Sequence, residues 1–333
     1  MWWRWILVKR FILQWHLSEN CNLKCLHCYQ ENHKPIQLEY AKLEQIYSQF
    51  KDFLKHKKMK GHINITGGEP LCNPHLFKIL DLIKNDEDKI TFSILTNGTL
   101  ITSEIAKKIK SYNPEYVQVS LEGGKRTNDF IRGEGTYKKI AEGIKNLKKE
   151  GIYTSISFTA NHLNYKEFSK VVKYAKKLNV DNVWSDRYIP LGDSKDKQLA
   201  LNYEETREYL NIMDKERRKL KEGPTHISMS RALQFQLTNE FEYGCTAGDT
   251  LLTVMENGDL VPCRRMPIVV GNLFKDNMIN LYEKSDILIK LRKNKIPDEC
   301  KECGHSEMCH GGLKCLTYAL YGDLNHKEVG CNL

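Results

Sequence analysis

A chain of 333 residues, 41% hydrophobic and 28% charged, has room for one large domain or two ordinary ones and can bury a sizeable core, which excludes a largely disordered protein. The net charge of +9 suits a nucleic acid, an anionic peptide or an acidic cofactor as partner, as well as a solvated Lys-rich surface, and of these a nucleic acid is not the partner expected here. No stretch reaches the roughly 18 apolar residues that span a bilayer. The aromatic start MWWRWILVKRFILQW is broken by Arg4, Lys9 and Arg10 and lacks a cleavage site, so the expected setting is cytoplasmic, with no membrane partner.

Apolar β-rich runs alternate with amphipathic runs over the first part of the chain. The expected strands are 11–17, 62–66, 90–96, 116–121, 153–160 and 182–189, with helices near 36–57, 73–86, 102–111, 136–150 and 165–178. Strands alternating with helices predict a parallel sheet, and right-handed crossovers curl it toward a barrel. The predicted fold class is therefore α/β, a partial (β/α)6 TIM-like barrel with its site at the C-terminal ends of the strands. After PLGDS (190–194) the pattern changes to a charged helix over 203–222. From Tyr243 the chain is short-element, Gly-punctuated and Cys-rich. The expected organisation is a core over 1–194, a helical linker over 195–244 and a small α+β domain over 245–333 packed against the core.

Eleven cysteines in a cytoplasmic chain point to metal or catalysis rather than disulfides. CNLKCLHCY places Cys21, Cys25 and Cys28 in a CxxxCxxC directly after the first strand. Three thiolates so placed can hold three irons of a [4Fe–4S] cube and leave the fourth open to a ligand. A zinc site completed by His27 is the competing reading. ITGGEP (65–70) ends the second strand, where two glycines let backbone approach a ligand closely and Glu69 offers an acceptor to an ammonium group.

The CxxxCxxC after strand one and the GGEP after strand two together resemble the radical S-adenosylmethionine (radical SAM) enzymes, over residues 11–190. The resemblance implies that the open iron chelates SAM and that an electron from the cluster cleaves it to methionine and a 5′-deoxyadenosyl radical. That radical abstracts hydrogen from the substrate, with a flavodoxin-type reductase as electron donor. It implies that Tyr29 lies near the adenine. Gly67, Gly68 and Glu69 would bind the amino group, with Pro70 shaping the turn. Ser120 in SLEGG and Arg132 in RGEGTY would reach the SAM carboxylate or ribose. Thr96 and Asn97 in LTNGT are further candidate contacts, set against a plain turn.

Cys245, Cys263, Cys300, Cys303, Cys309, Cys315 and Cys331, with the phrases NGDLVPC (257–263) and GNLF (271–274), resemble the SPASM extension of many radical SAM enzymes. This resemblance covers about 243–333 and implies two auxiliary clusters. Cys300, Cys303, Cys309 and Cys331 would hold the outer one as a [4Fe–4S] centre. Cys245, Cys263 and Cys315 would hold the inner one, which is then a [4Fe–4S] with an open iron, a [2Fe–2S] centre or a cluster with a non-cysteine ligand. CHGGLKC sets its last cysteine two residues later than the usual pattern, with Leu313 at the expected ligand position. Cys72 fits neither set and reads as a small buried thiol. A zinc ribbon of Cys300, Cys303 and Cys309 with His305 or His310 is the competing reading.

The two resemblances imply oxidative modification of a ribosomally synthesised peptide or protein, through a thioether, a carbon–carbon crosslink or a related bond. The twenty residues before Cys21 are too few for an N-terminal leader-binding domain, so recognition is expected from the barrel, the extension or a separate leader-binding protein. Arg264 in PCRRMP stands where some sulfatase-maturing relatives carry an Asp base, which argues against that activity. Asp186 and Arg187 in SDRYIPLGDS (185–194) are candidates for a general base and a carboxylate holder, set against an ion pair that closes the strand end. The alternatives are radical chemistry on a small molecule such as a tetrapyrrole, or an iron–sulfur electron carrier or zinc-binding interaction module without SAM chemistry.

Overall fold

The computed structural model describes residues 10–30, 37–191, 196–220, 223–228, 231–238, 243–293 and 296–333. The aromatic stretch at 1–9 and the expected boundary at 194/195 lie outside them.

Six strands alternate with helices in the expected order: β1 (Arg10–His16), α1 (Tyr40–Lys57), β2 (Lys60–Thr66), α2 (Leu76–Lys84), β3 (Ile90–Thr96), α3 (Ser103–Lys110), β4 (Val117–Ser120), α4 (Lys125–Arg132), α5 (Thr136–Lys149), β5 (Thr154–Ala160), α6 (Phe168–Lys177) and β6 (Asn182–Arg187). Each of β1 to β6 pairs in parallel with the next. The pattern that specifies this is a period of two. Phe11, Leu13 and Trp15 of β1, Ile63 and Ile65 of β2, and Val117 and Val119 of β4 are buried beneath the helices. Gln118 and Ser120 of β4 and Ser157 and Thr159 of β5 alternate with the apolar set and line a cavity on the inner face. The helices supply the other half of the core. Buried Leu43, Ile46, Phe50, Phe53 and Leu54 form one stripe of α1, and Phe53 meets Phe11 edge-on at 4.6 Å.

One element of this region escaped the sequence reading. Helix α4 reads KRTNDFIR and has its polarity inverted: Asn128, Asp129 and Arg132 are buried while Phe130 is 68% exposed. Its buried side chains are engaged, with Asp129 Oδ2 alone among their named polar atoms left without a hydrogen bond. Asn128 accepts the Glu122 N–H at 3.1 Å and donates to Thr136 Oγ1, and Asp129 accepts the Tyr137 N–H.

Beyond β6 come α7 (Tyr203–Lys219), β7 (His226–Ile227), α8 (Phe235–Thr238), β8 (Leu251–Val254), β9 (Asp259–Val261), β10 (Gly271–Asn272), α9 (Met278–Lys284), α10 (Asp286–Arg292), α11 (Ser306–Cys309) and α12 (Lys314–Tyr321). The stretch expected as a purely helical linker also holds β7, which pairs in parallel with β6. At the other edge β8 pairs in parallel with β1, bringing Trp15 opposite Val254, and β9 and β10 follow antiparallel. The Cys-rich part thus continues the sheet of the barrel, which has the order β10-β9-β8-β1-β2-β3-β4-β5-β6-β7.

Candidate active site

The cavity lies at the C-terminal ends of the strands. It is lined by the loop after β1 (Cys21, Cys25, Cys28, Tyr29), the turn after β2 (Gly67, Gly68), the end of β3 (Thr96, Asn97), Ser120, Arg132, the end of β6 (Trp184, Asp186, Arg187) and, from the C-terminal part, Arg264 and Arg265.

The loop after β1 is pinned by backbone. The Gly68 N–H donates to Ser18 O at 2.8 Å, Glu69 N–H to Asn20 O at 2.9 Å and Leu26 N–H to Ile131 O at 2.8 Å. Only glycine fits the first of these contacts, because a Cβ on Gly68 would lie 2.3 Å from Asn20 O. Burial is the main cause that pushes the Cys21 thiol up to about 12, and the charges of Glu69, Cys25 and Cys28 add to it. Burial likewise raises Cys25. Left alone, these two thiols keep their protons at neutral pH; with Cys28 on the same loop they suit a metal centre that displaces the protons. Side-chain donors already face the sulfurs, Asn97 Nδ2 at 3.8 Å from Cys21 Sγ and Arg132 Nη1 at 3.7 Å from Cys25 Sγ.

Behind this loop sits a carboxylate that the sequence reading did not single out. Glu122 is fully buried. Its Oε1 accepts from Arg132 Nη2 at 2.6 Å and Nε at 3.2 Å and lies 3.3 Å from His27 Nε2, and its Oε2 accepts the Thr159 N–H at 2.9 Å. Burial opposes its charge, but Arg132 and His27 hold its carboxyl down to about 2. Arg132, expected at the SAM carboxylate or ribose, is therefore already tied to Glu122 while its Nη1 faces Cys25. His27, the candidate zinc ligand, turns to the same carboxylate.

Seven of the nine expected cofactor contacts, Tyr29, Gly67, Gly68, Thr96, Asn97, Ser120 and Arg132, line the cavity; Glu69 and Pro70 do not. Glu69 is fully buried and works within the protein. Its Oε1 accepts from Thr96 Oγ1 at 2.7 Å and the Leu71 N–H, and its Oε2 accepts the Asn97 N–H at 2.7 Å, so it fastens the turn after β2 to the end of β3. Tyr29 is half-buried, its ring centroid 6.2 Å from that of the buried His16 in an edge-on arrangement. Burial raises its phenol, and the charges of Arg264, Cys28 and Cys263 all reach it.

The other expected pair, Asp186 and Arg187, reaches the cavity wall with each charge already matched. Asp186 Oδ2 accepts from Arg265 Nη2 at 2.8 Å, and Arg187 is buried against Glu328. Burial opposes the Asp186 charge, but Arg265, Arg231 and Arg187 hold the carboxyl below the usual range. It is thus a weak base at neutral pH. Both residues form ion pairs at the strand end with partners from the C-terminal part of the chain.

The C-terminal cysteines fall into two groups. Cys245, Cys263 and Cys315 act on one another electrostatically, with burial the main cause that raises Cys245 and Cys315. Cys300, Cys303, Cys309 and Cys331 line one hollow, where burial pushes Cys309 up to about 12 with Glu328, Cys331 and Cys300 adding to it. Among the described residues no three His, Cys, Asp or Glu side chains close on one point as ligands of a single ion would. In CHGGLKC a run of left-handed residues, His310 (φ 51°), Gly311 (φ 81°) and Gly312 (φ 82°), precedes α12, on which Cys315 is buried. Cys72 joins none of the groups and is half-buried rather than buried, its thiol raised by burial and then by Glu69. His305 packs against the Phe235 ring at 4.9 Å.

Comparison with known proteins agrees with this layout. The radical SAM superfamily model matches residues 15–175, and the SPASM model, an iron–sulfur cluster-binding domain, matches residues 245–304. The chain belongs to the radical SAM superfamily and carries a SPASM iron–sulfur domain at its C-terminal end. It is 26% identical to the AdoMet-dependent heme synthase of Methanosarcina barkeri, over 96% of this chain and 95% of that one. It is also 26% identical to the mycofactocin maturase MftC of Mycobacterium tuberculosis, over 92% of this chain and 78% of that one. The solved structure of native anSMEcpe with bound AdoMet and the Cp18Cys peptide has the same fold, with a TM-score of 0.79 at 22% identity, covering 96% of this chain and 93% of that one. The protein is thus a radical SAM enzyme, and among the described residues no helix is long and apolar enough to cross a membrane.

Proposed function

We propose that the enzyme oxidises a peptide substrate in the cavity above the sheet, beginning with SAM cleavage at the Cys21–Cys25–Cys28 loop. When bound, a [4Fe–4S] cluster and SAM supply a 5′-deoxyadenosyl radical. Cys21, Cys25 and Cys28 would hold the cluster, Asn97 and Arg132 would direct hydrogen-bond donors at its sulfurs, and Glu122 would keep Arg132 and His27 in place. Gly67 and Gly68 give the amino group of SAM a backbone surface without side chains. Tyr29 flanks the adenine, and Ser120 lies on the wall that would meet the carboxylate or ribose.

One observation carries the oxidative reading: the cavity that holds the three-cysteine loop is also lined by Arg264 and Arg265, the residues that follow Cys263. A substrate there would touch both the radical source and the flank of the inner set, Cys245, Cys263 and Cys315. Cys245, Cys263 and Cys315 would hold a centre that supplies an acceptor for the second electron of an oxidation, and Cys300, Cys303, Cys309 and Cys331 would hold a second one. The peptide substrate is supported by the maturase relative and by the likeness to a fold that binds a peptide. A separate leader-binding protein and a flavodoxin-type donor complete the proposal. The test is anaerobic incubation with SAM, a reductant and short Cys-rich peptides encoded beside the gene. Loss of a hydrogen pair from one of them supports the reading, and unmodified peptides under conditions that consume SAM oppose it.

A second reading, oxidation of a tetrapyrrole, is favoured by the heme synthase relative, which this chain matches almost from end to end. The same incubation with an iron porphyrin in place of the peptide tests it.

A further inference from the structure

The cavity carries more arginine than its ion pairs use. Arg265 is matched by Asp186 and Arg187 by Glu328. Arg264 lines the same cavity and is only half-buried, and among the described residues its guanidinium has no ion pair and no hydrogen bond. Its backbone N–H is fixed, donating to Gln14 Oε1 at 3.4 Å, and Cys263 Sγ meets the same oxygen at 3.9 Å, so the side chain leaves from an anchored point. The groups that feel its charge are His16, Tyr29 and Tyr116; burial keeps all three uncharged at neutral pH, and Arg264 acts with burial at His16 but against it at the two phenols. Arg187 also lines the cavity, and its Nη2 is buried without a hydrogen-bond partner. Trp184, Ile189 and Leu191 add apolar surface to a wall that also carries Gln118, Ser120, Ser157 and Thr159. A half-buried guanidinium without an ion pair gains when an anion reaches it, and a planar carboxylate matches its paired donors.

We infer that Arg264 seats a carboxylate of the substrate, with Arg187 Nη2 as a further donor, so that the molecule oxidised here carries an acid group close to the reacting position. The inference rests on the proposal that substrate occupies this cavity. Two sources share the chemistry: an aspartate or glutamate side chain of a peptide and a propionate of a tetrapyrrole. The SAM carboxylate has its own expected partners at Ser120 and Arg132 and is a distinguishable outcome.

The test is equilibrium binding to the reconstituted holoenzyme, read by quenching of tryptophan fluorescence. The probes are coproporphyrin III against its tetramethyl ester, and a capped peptide with one glutamate against the same peptide with glutamine. One acid probe should bind about tenfold more tightly than its neutral partner. Arg264→Gln should erase that preference and Arg264→Lys should keep part of it, which separates loss of charge from loss of fold. The acid probe that shows the preference identifies the source. Equal binding of acid and neutral forms, no binding of any probe, a preference that survives in Arg264→Gln, or an equal loss of SAM affinity in that variant would each overturn the inference. Failure of the function reading would appear separately, as wild-type holoenzyme that releases no 5′-deoxyadenosine.

Discussion

The guanidinium of Arg187, at the end of β6, is buried against the carboxylate of Glu328, 141 residues further along the chain. The second oxygen of Glu328 accepts the Leu313 N–H at 2.6 Å, just ahead of Cys315. A Cβ on Gly312 would lie 2.3 Å from that same oxygen, so the glycine turn and the carboxylate are fitted to each other. One buried side chain thus fastens the cavity wall to the turn before Cys315 and to the segment that carries Cys331.

Glu328→Gln keeps the shape and removes the charge, leaving Arg187 buried and unpaired. The expected cost is about 3–5 kcal/mol. Urea unfolding of the holoenzyme should show a lowered midpoint, and iron per chain should fall because two cysteine turns lose their anchor. An unchanged midpoint would remove Glu328 from this role.

Glu122→Gln has the same logic beneath the first cysteine loop. Arg132 and His27 lose a fully buried negative charge, and a loss of about 3–5 kcal/mol is expected. Iron bound at the Cys21–Cys25–Cys28 loop should become labile to a chelator, which is measured as the rate of iron release. A release rate equal to that of wild type would show that the carboxylate does not support the loop.

Gly68→Ala tests the close approach of the two loops. The added methyl would meet the backbone oxygens of Asn20 at 2.3 Å and Glu19 at 2.5 Å, so the loop carrying Cys21 must shift. Strain of about 1–3 kcal/mol is expected, together with a weakened affinity for SAM in equilibrium binding. SAM affinity equal to wild type would contradict it.

The cysteines make the sharpest contrast. Cys315→Ala should lower iron per chain after anaerobic reconstitution, whereas Cys72→Ala should leave it unchanged. Leu313→Cys in the Cys315→Ala background should not restore the lost iron, because Leu313 precedes α12 and its backbone N–H is held by Glu328. Restoration would move the ligand to position 313.

Much of this was legible in the sequence because it is written in short-range patterns. The alternation in β1 to β6 separates the face under the helices from the face on the cavity, and CxxxCxxC and GGEP each lie within a single loop. What escaped depends on distance along the chain or on inverted polarity. Helix α4 was passed over because its buried face is Asn128, Asp129 and Arg132 rather than an apolar stripe. Glu122 stands in the quoted SLEGG, but its importance comes from Arg132 and from His27 on a separate loop. Asp186 and Arg187 are neighbours whose partners, Arg265 and Glu328, come from the far end of the chain. The four residues of β8 carry no local sign that they pair with β1.

The central claim is that SAM is cleaved at the loop of Cys21, Cys25 and Cys28. The most direct measurement is chromatographic detection of 5′-deoxyadenosine from anaerobically reconstituted protein given SAM and dithionite. Wild type and Cys72→Ala should release it, and Cys25→Ala should release none. Iron-loaded wild type that releases no 5′-deoxyadenosine, or a Cys25→Ala variant that releases it at the wild-type rate, would contradict the claim.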